Sequence, residues 1–368
     1  MIPIYKPYFN KQNLSYAHEA IDSGWVSSQG EYLDLVKNEL KTMLDCKKII
    51  LTNNGTTATH LLSLALKFKH PNINKIIVPN NVYVAAWNSF LFDKNYRLIP
   101  IDCDLNTWNF DIDKIKENLD ENTAILVVHN IGNVVNVPKL KRKFPNTVIL
   151  EDNCEGFLGQ YEDKPTGTES FASSISFFGN KTLTSGEGGA FITNDDEVFE
   201  YINCVKNQGQ SDVKFIHKFL GYNYRMTNIQ AALLYGQIKD YDFIIKNKNR
   251  VFMRYKEIFN TNKNILTQKI EKNTKHSNWM FGIRFEGISV EMKKNLENYL
   301  FQNGIDTRPM FYNINKHEYL KNIDSSNINA DILQKECLIL PSFPDLKDGQ
   351  IDFISNKILK YLLINTHT

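Results

Sequence analysis

Short β-type runs recur through the first 192 residues, at 48–51, 75–78, 97–101, 124–128, 147–150, 174–178 and 189–192. Helical patterns fall between several of them, at 57–68, 83–92, 111–118 and 138–143. Alternating β and α segments specify an α/β fold with a large, mostly parallel seven-stranded sheet and helices on both faces. Sheets of this kind take ligands at the carboxyl ends of their strands. Two helical stretches come first, at 11–23 and 31–44, flanking the loop Gly24-Trp25-Val26-Ser27-Ser28-Gln29-Gly30. From Thr227 the pattern changes to a long helix over 227–259, a strand-like 279–285, a helix at 290–303, a basic-aromatic segment at 307–312 and a last helix near 350–363. A chain of 368 residues can bury two cores. The reading therefore divides it into a large domain at 1–245, including the N-terminal loop, and a smaller C-terminal α/β domain at 246–368.

The formal charge of +2 gives no basic field for nucleic acid. Five scattered cysteines, with no Cys-x-x-Cys pair, fit a reducing compartment. The opening residues lack a basic stretch followed by an apolar one, and apolar runs are interrupted before membrane-spanning length. The expectation is a cytoplasmic protein without membrane contact.

One stretch carries the strongest chemical signal. In Ser173–Gly189 a β-prone run bearing Ser176 is followed five residues later by Lys181 and then by a Gly-rich turn. A lysine on a tight loop behind a buried strand suits a covalent amine that alternates between bond-making and proton transfer. Elsewhere Asn54-Gly55-Thr56-Thr57 follows a strand and opens a helix, which fits a phosphate seat and a plain N-cap equally well. Asp152 ends a buried strand and suits a cationic ring nitrogen, a metal or a helix cap. No histidine cluster accompanies it, so no metal is expected. Tyr83 suits either a cofactor stack or the core. Asn223 and Arg225 precede the long helix as polar contacts or as cap and surface groups. His129 reads as a structural histidine, and Asp102 and Asp104 as turn residues.

Together these parts make one device. Pyridoxal 5′-phosphate requires a lysine, a carboxylate for its pyridine nitrogen, an aromatic over its ring and a helix N-terminus for its phosphate. Gly55-Thr56, Tyr83, Asp152, Ser176 and Lys181 supply them in that order, each at a strand–loop junction. Lys181, once free, is then the base that moves a proton.

Here the chain resembles the fold-type I, pyridoxal-phosphate-dependent sugar aminotransferases of the DegT–DnrJ–StrS family, above all the perosamine and viosamine synthases. The resemblance runs from Ile2 to about Leu363. It is carried by Ser23–Ser28, Asn54-Gly55-Thr56, Glu151-Asp152-x-Cys154-Glu155 and Ser176-Phe177-Phe178-Gly179-Asn180-Lys181-Thr182. It continues in Gly186–Gly189, Asn207-Gln208-Gly209, Tyr222–Asn228 and Leu340-Pro341-Ser342. It implies amination at C4 of a 4-keto-6-deoxyhexose linked to GDP, UDP or dTDP, with L-glutamate as donor. It also implies that Lys181 carries the Schiff base, Asp152 meets the pyridine nitrogen, Glu155 lies near the ring hydroxyl and Tyr83 stacks on the ring. Thr56, Thr57 and Ser176 would hold the phosphate with Asn223 from a second subunit, so a homodimer with shared sites is expected. Trp25, Ser27, Arg308 and Tyr312 would lie near the sugar nucleotide. The chain departs from the family's usual pattern at Asn81-Val82, Ile131-Gly132-Asn133 and Phe311-Tyr312-Asn313-Ile314-Asn315. Two rival readings are a sugar dehydratase of the same scaffold, which would carry histidine in place of Lys181, and a silent regulator that binds the cofactor or the sugar nucleotide.

Overall fold

The computed structural model describes residues 1–365. Its strands begin with β1 (Ile49–Thr52), β2 (Lys75–Pro79), β3 (Arg97–Ile101), β4 (Thr123–Val128) and β5 (Ile149–Asp152). A short pair, β6 (Gln160–Tyr161) and β7 (Lys164–Pro165), precedes β8 (Ala172–Ser176) and β9 (Gly189–Thr193). Seven of these form one sheet in the order β1-β9-β8-β5-β4-β2-β3. From β8 to β3 the pairs are parallel, whereas β9 runs antiparallel to both β8 and β1. The sheet is thus mostly parallel, as its alternating pattern predicts.

Both faces are covered because successive side chains point to opposite sides. Helices α1 (Lys11–Asp22) and α2 (Glu31–Leu44) precede the sheet, and α3 (Gly55–Lys69), α4 (Ala85–Leu91), α5 (Val137–Lys143) and α6 (Asp196–Lys206) lie between or after its strands. Ile50, Val78, Leu126, Leu150 and Phe191 share one core cluster with residues of α3, α4 and α6. Ile49, Leu51, Ile175 and Ile192 join α1, α2 and α7 (Asn228–Lys239) on the other side. Ile77, Ile125, Val127 and Ile149 pack there with α5.

The 227–259 segment is two helices rather than one. After α7 the chain turns at Asp240 and continues as α8 (Tyr241–Phe259). Asp240 leaves helical geometry at φ −99°, ψ 15°, and its carboxylate accepts a hydrogen bond from Asn13 of α1 at 2.9 Å. A tertiary partner therefore fixes the break. The 111–118 segment is likewise not an α-helix; it forms two single 3₁₀ turns, Ile112–Lys114 and Lys116–Asn118, started by the Asp111 side chain.

The rest of the chain adds β10 (Ile265–Leu266), β11 (Thr274–Lys275), β12 (Phe281–Phe285), α9 (Val290–Gln302), β13 (Arg308–Pro309), α10 (Ile328–Glu336), β14 (Cys337–Leu340) and α11 (Asp348–Asn365). Strands β10-β12-β14-β13 form a second, antiparallel sheet, while β11 pairs with β6. The second sheet's core draws Val251, Tyr255 and Phe259 from α8, Leu296 and Leu300 from α9 and Ile354 and Ile358 from α11. Asp102 is more than a turn residue. Buried at the end of β3, it accepts from the backbone N–H groups of Asn329 and Ala330 in the first turn of α10, which joins the two sheets. No helix among the described residues is long and apolar enough to cross a membrane.

Candidate active site

Register brings the candidate residues to one edge of the large sheet. Asp152 pairs with Ser174, Ser176 with Gly189, and Gly189 with Thr52, two residues before Asn54. The chain then turns directly into α3, whose N-cap Asn54 accepts the Thr57 N–H at 2.9 Å. The start of α3 is pressed onto the end of β8: a Cβ at Gly55 would lie 2.6 Å from Ser176 Cβ and 2.8 Å from its Oγ. A residue with no side chain is therefore required there. Thr59, one turn into α3, shares a 2.9 Å hydrogen bond with Ser174, whose hydroxyl lies 3.5 Å from Asp152 Oδ1.

The Thr57 hydroxyl is committed to the cap, donating to Asn53 Oδ1 and the Asn54 carbonyl. The Thr56 hydroxyl and the N–H groups of Gly55 and Thr56 have no partner among the described residues. These free donors sit at the positive end of a 15-residue helix, an arrangement that favours an anion.

Two carboxylates are buried beside this seat. Asp152 is 6% exposed and accepts from the Cys154 N–H at 3.1 Å. Glu155 is buried and accepts from the Ile131 N–H at 2.7 Å. Burial pushes the Glu155 carboxyl up to about 7, helped by the charge of Asp152 and opposed by Lys181 and the Ile131 N–H. Burial also pushes the Cys154 thiol well up, with Asp152 adding to the shift and Lys181 opposing it. Lys181 thus bears electrostatically on Glu155 and Cys154, as Asp152 does. Ile131 is β-branched yet sits at φ 57°, in the left-handed region, and this conformation belongs to the loop that offers its N–H to Glu155.

Lys181 lies on a tight turn closed by its own N–H to the Phe178 carbonyl at 2.8 Å. Its Nζ rests 3.9 Å from the centroid of the Trp279 ring. Trp279 Nε1 donates to the Asn180 carbonyl at 2.9 Å, and the Tyr5 hydroxyl donates to the Lys181 carbonyl at 3.0 Å. Among the described residues the Asn180 side-chain oxygen is buried without a partner, as are both side-chain polar atoms of Asn81, just after β2.

The other candidates occupy the surroundings. Tyr83 is 59% exposed, its ring 6.2 Å from that of Phe311, which brings the 308–312 segment to the same rim. Arg308 and Tyr312 are exposed there. Trp25 lines a different recess, and Ser27 lies on the same loop. Asn228 holds their backbone through bonds to the Trp25 and Ser27 carbonyls, and Trp25 borders a cavity of about 510 Å³ with Glu19, Gln29 and Glu31. Asn223 is exposed, with Arg225 Nε donating to its Oδ1 at 2.9 Å. His129 is fully buried between Glu151 and the Val135 N–H.

Sequence reasoning missed two groups. Trp279 and Tyr5 reach the lysine loop from 99 and 176 residues away. His60 and Asp93 grip the segment around Asn223: His60 Nε2 lies 2.7 Å from Asp93, His60 Nδ1 lies 3.1 Å from the Tyr224 hydroxyl, and Tyr222 donates to Asp93 at 3.3 Å. Only the three-dimensional arrangement gives these residues a connection to the site.

Free donors at a helix start packed closely onto the strand of Ser176, two buried acids and a lysine amine that bears on Glu155 fit a planar, phosphorylated pyridine. The model of the DegT/DnrJ/EryC1/StrS aminotransferase family matches residues 7–359. The chain is 32% identical to a GDP-perosamine synthase of Escherichia coli O157:H7, over 98% of each chain. It is 31% identical to a GDP-perosamine synthase of Vibrio cholerae, over 98% of this chain and 99% of that one. Among solved structures it superimposes, with TM-score 0.91 and 24% identity over 99% of both chains, on a Helicobacter pylori aminotransferase involved in the biosynthesis of pseudoaminic acid.

Proposed function

The chain belongs to the DegT/DnrJ/EryC1/StrS aminotransferase family, and from that premise we propose that it aminates C4 of a GDP-linked 4-keto-6-deoxyhexose, with L-glutamate as donor. It is a pyridoxal-phosphate-dependent nucleotide-sugar aminotransferase. The finer reading, a perosamine-type product, is supported by the two GDP-perosamine synthases to which the chain is similar over nearly its whole length.

What supports this chemistry is that Lys181 and Asp152 both bear electrostatically on the buried Glu155, while Ser176 is pressed against Gly55 at the start of α3. When bound, pyridoxal phosphate supplies an electrophilic carbon and an electron sink. The chain's own groups do the rest. Gly55, Thr56 and Ser176 bind the phosphate, with Thr57 at the cap behind them, and Tyr83 covers the ring. Asp152 holds a proton at the ring nitrogen, and Glu155 lies toward the ring hydroxyl. Lys181 Nζ holds the cofactor at rest and, once displaced, moves a proton to or from the substrate carbon. Asn223 of a second copy completes the phosphate site, which makes the working unit a homodimer. Arg308 and Tyr312, on the rim with Tyr83, lie near the sugar nucleotide, and the loop of Trp25 and Ser27 approaches it from its own recess. The division between large and small domains falls near residue 245, in α8. Five free cysteines fit a cytoplasmic enzyme.

The dehydratase reading calls for histidine where Lys181 stands, and the silent-binder reading leaves the paired acids and the lysine without a use. The test is incubation with L-glutamate and a panel of 4-keto-6-deoxy sugar nucleotides, with product read by mass and NMR. The expected product is the 4-amino-4,6-dideoxy sugar nucleotide with 2-oxoglutarate. Refusal of every 4-keto sugar with acceptance of a 3-keto one would overturn the regiochemistry.

A further inference from the structure

Lys248, on α8, is fully buried and has no carboxylate beside it among the described residues. Its Nζ donates to the Trp279 carbonyl at 2.7 Å and to the Ser342 carbonyl, between the rings of Tyr5 at 5.1 Å and Phe252 at 5.5 Å. Burying an amine costs free energy that an apolar side chain of similar volume would not, so its presence must be accounted for by the bonds it donates. Burial drives its pKa well below the usual lysine range, and its N–H groups are directed at two carbonyls.

Both neighbours lead to Lys181. Trp279, whose carbonyl Lys248 holds, offers its indole face to Lys181 Nζ at 3.9 Å and its N–H to the Asn180 carbonyl. Tyr5, whose ring flanks Lys248, donates to the Lys181 carbonyl. Ser342 follows β14 and also accepts the Phe281 N–H on its hydroxyl, so the second carbonyl is fixed to the smaller sheet.

We propose that Lys248 is a positioning residue for Lys181: it locks Trp279 between α8 and the segment after β14, and so holds the aromatic seat on which the reacting amine rests. An aromatic face suits this task. It attracts a cationic amine without a hydrogen bond that would have to break before the amine swings away. The lysine loop is thereby tied to the packing of the smaller sheet against α8. This inference rests on Lys181 as the reacting lysine.

The experiment compares wild type, Lys248→Met, Lys248→Gln and Trp279→Phe as full-length proteins. In cofactor-free protein, trace acylation by acetic anhydride is read at Lys181 relative to exposed Lys11; in holoenzyme, kcat and KM are measured. Lys248→Met should raise Lys181 acylation at least about threefold and lower kcat about tenfold, with KM for the sugar nucleotide changed by less than about threefold. Trp279→Phe should move Lys181 acylation the same way, and Lys248→Gln should fall between. If Lys248→Met does not fold, Lys248→Gln, which keeps an amide donor, decides by the same criteria. A folded variant with wild-type Lys181 reactivity and kcat overturns the proposal, as does a loss of thermal stability alone. Borohydride reduction of wild-type holoenzyme separates the two readings: cofactor fixed elsewhere than Lys181 removes the premise, whatever the Lys248 variants do.

Discussion

At Gly55 the backbone of α3 approaches Ser176 so closely that one added carbon would collide with it at 2.6 Å. Gly55→Ala must push the helix start away from β8. It should cost about 1–3 kcal/mol in urea unfolding and weaken pyridoxal phosphate binding at least about fivefold. Glu155 makes a different demand, because its carboxyl is raised from 4.5 to about 7 by burial. A group raised in the folded state binds protons there that the unfolded chain has released, so its contribution to stability is present below pH 4.5 and is lost as the pH rises through about 7. At about 1.4 kcal/mol per pH unit, that interval corresponds to about 3 kcal/mol. Cofactor-free protein should therefore lose Tm between pH 5 and 8, and Glu155→Gln should flatten that slope; equal slopes in both proteins would refute the assignment.

Among the elements, the segment carrying Asn223 depends on α3. Its flanking tyrosines stack at 4.8 Å and are held by His60 and Asp93, which leaves Asn223 projecting to solvent. Asp93→Ala should release them, speeding hydrogen exchange of amides 220–226 about tenfold or more while the strands of the large sheet keep their protection. The parallel strands were legible because their apolar runs and intervening helical periods are local. The reversal of β9 was not, since a fully buried strand reads the same in either direction. Two-residue strands such as β10 and β13 are too short for a periodic signal. The break at Asp240 is set by Asn13, more than two hundred residues away. Within the site, the residues proposed at strand ends stand in motifs that are local in sequence. Trp279, Tyr5 and Lys248 could not, because contacts across the fold alone give them their roles.

For the whole molecule, the claim is that each active site is completed by a second copy. In a homodimer with shared sites, a Lys181→Ala subunit supplies an intact Asn223 and an Asn223→Ala subunit an intact Lys181. Each variant alone should be impaired. Co-refolded in equal amounts, they should regain roughly a quarter of wild-type activity, since half the dimers are mixed and each has one intact site. Recovery no greater than the sum of the separate variants would place both residues in the same subunit's site.

The central claim is that Lys181 is the amine that joins the cofactor and moves the proton. Borohydride reduction of the holoenzyme followed by peptide mass spectrometry tests it most directly. The account predicts the reduced pyridoxyl group on Lys181, together with loss of both label and turnover in Lys181→Ala. Label on another lysine, or full-rate transamination by that variant, would contradict it.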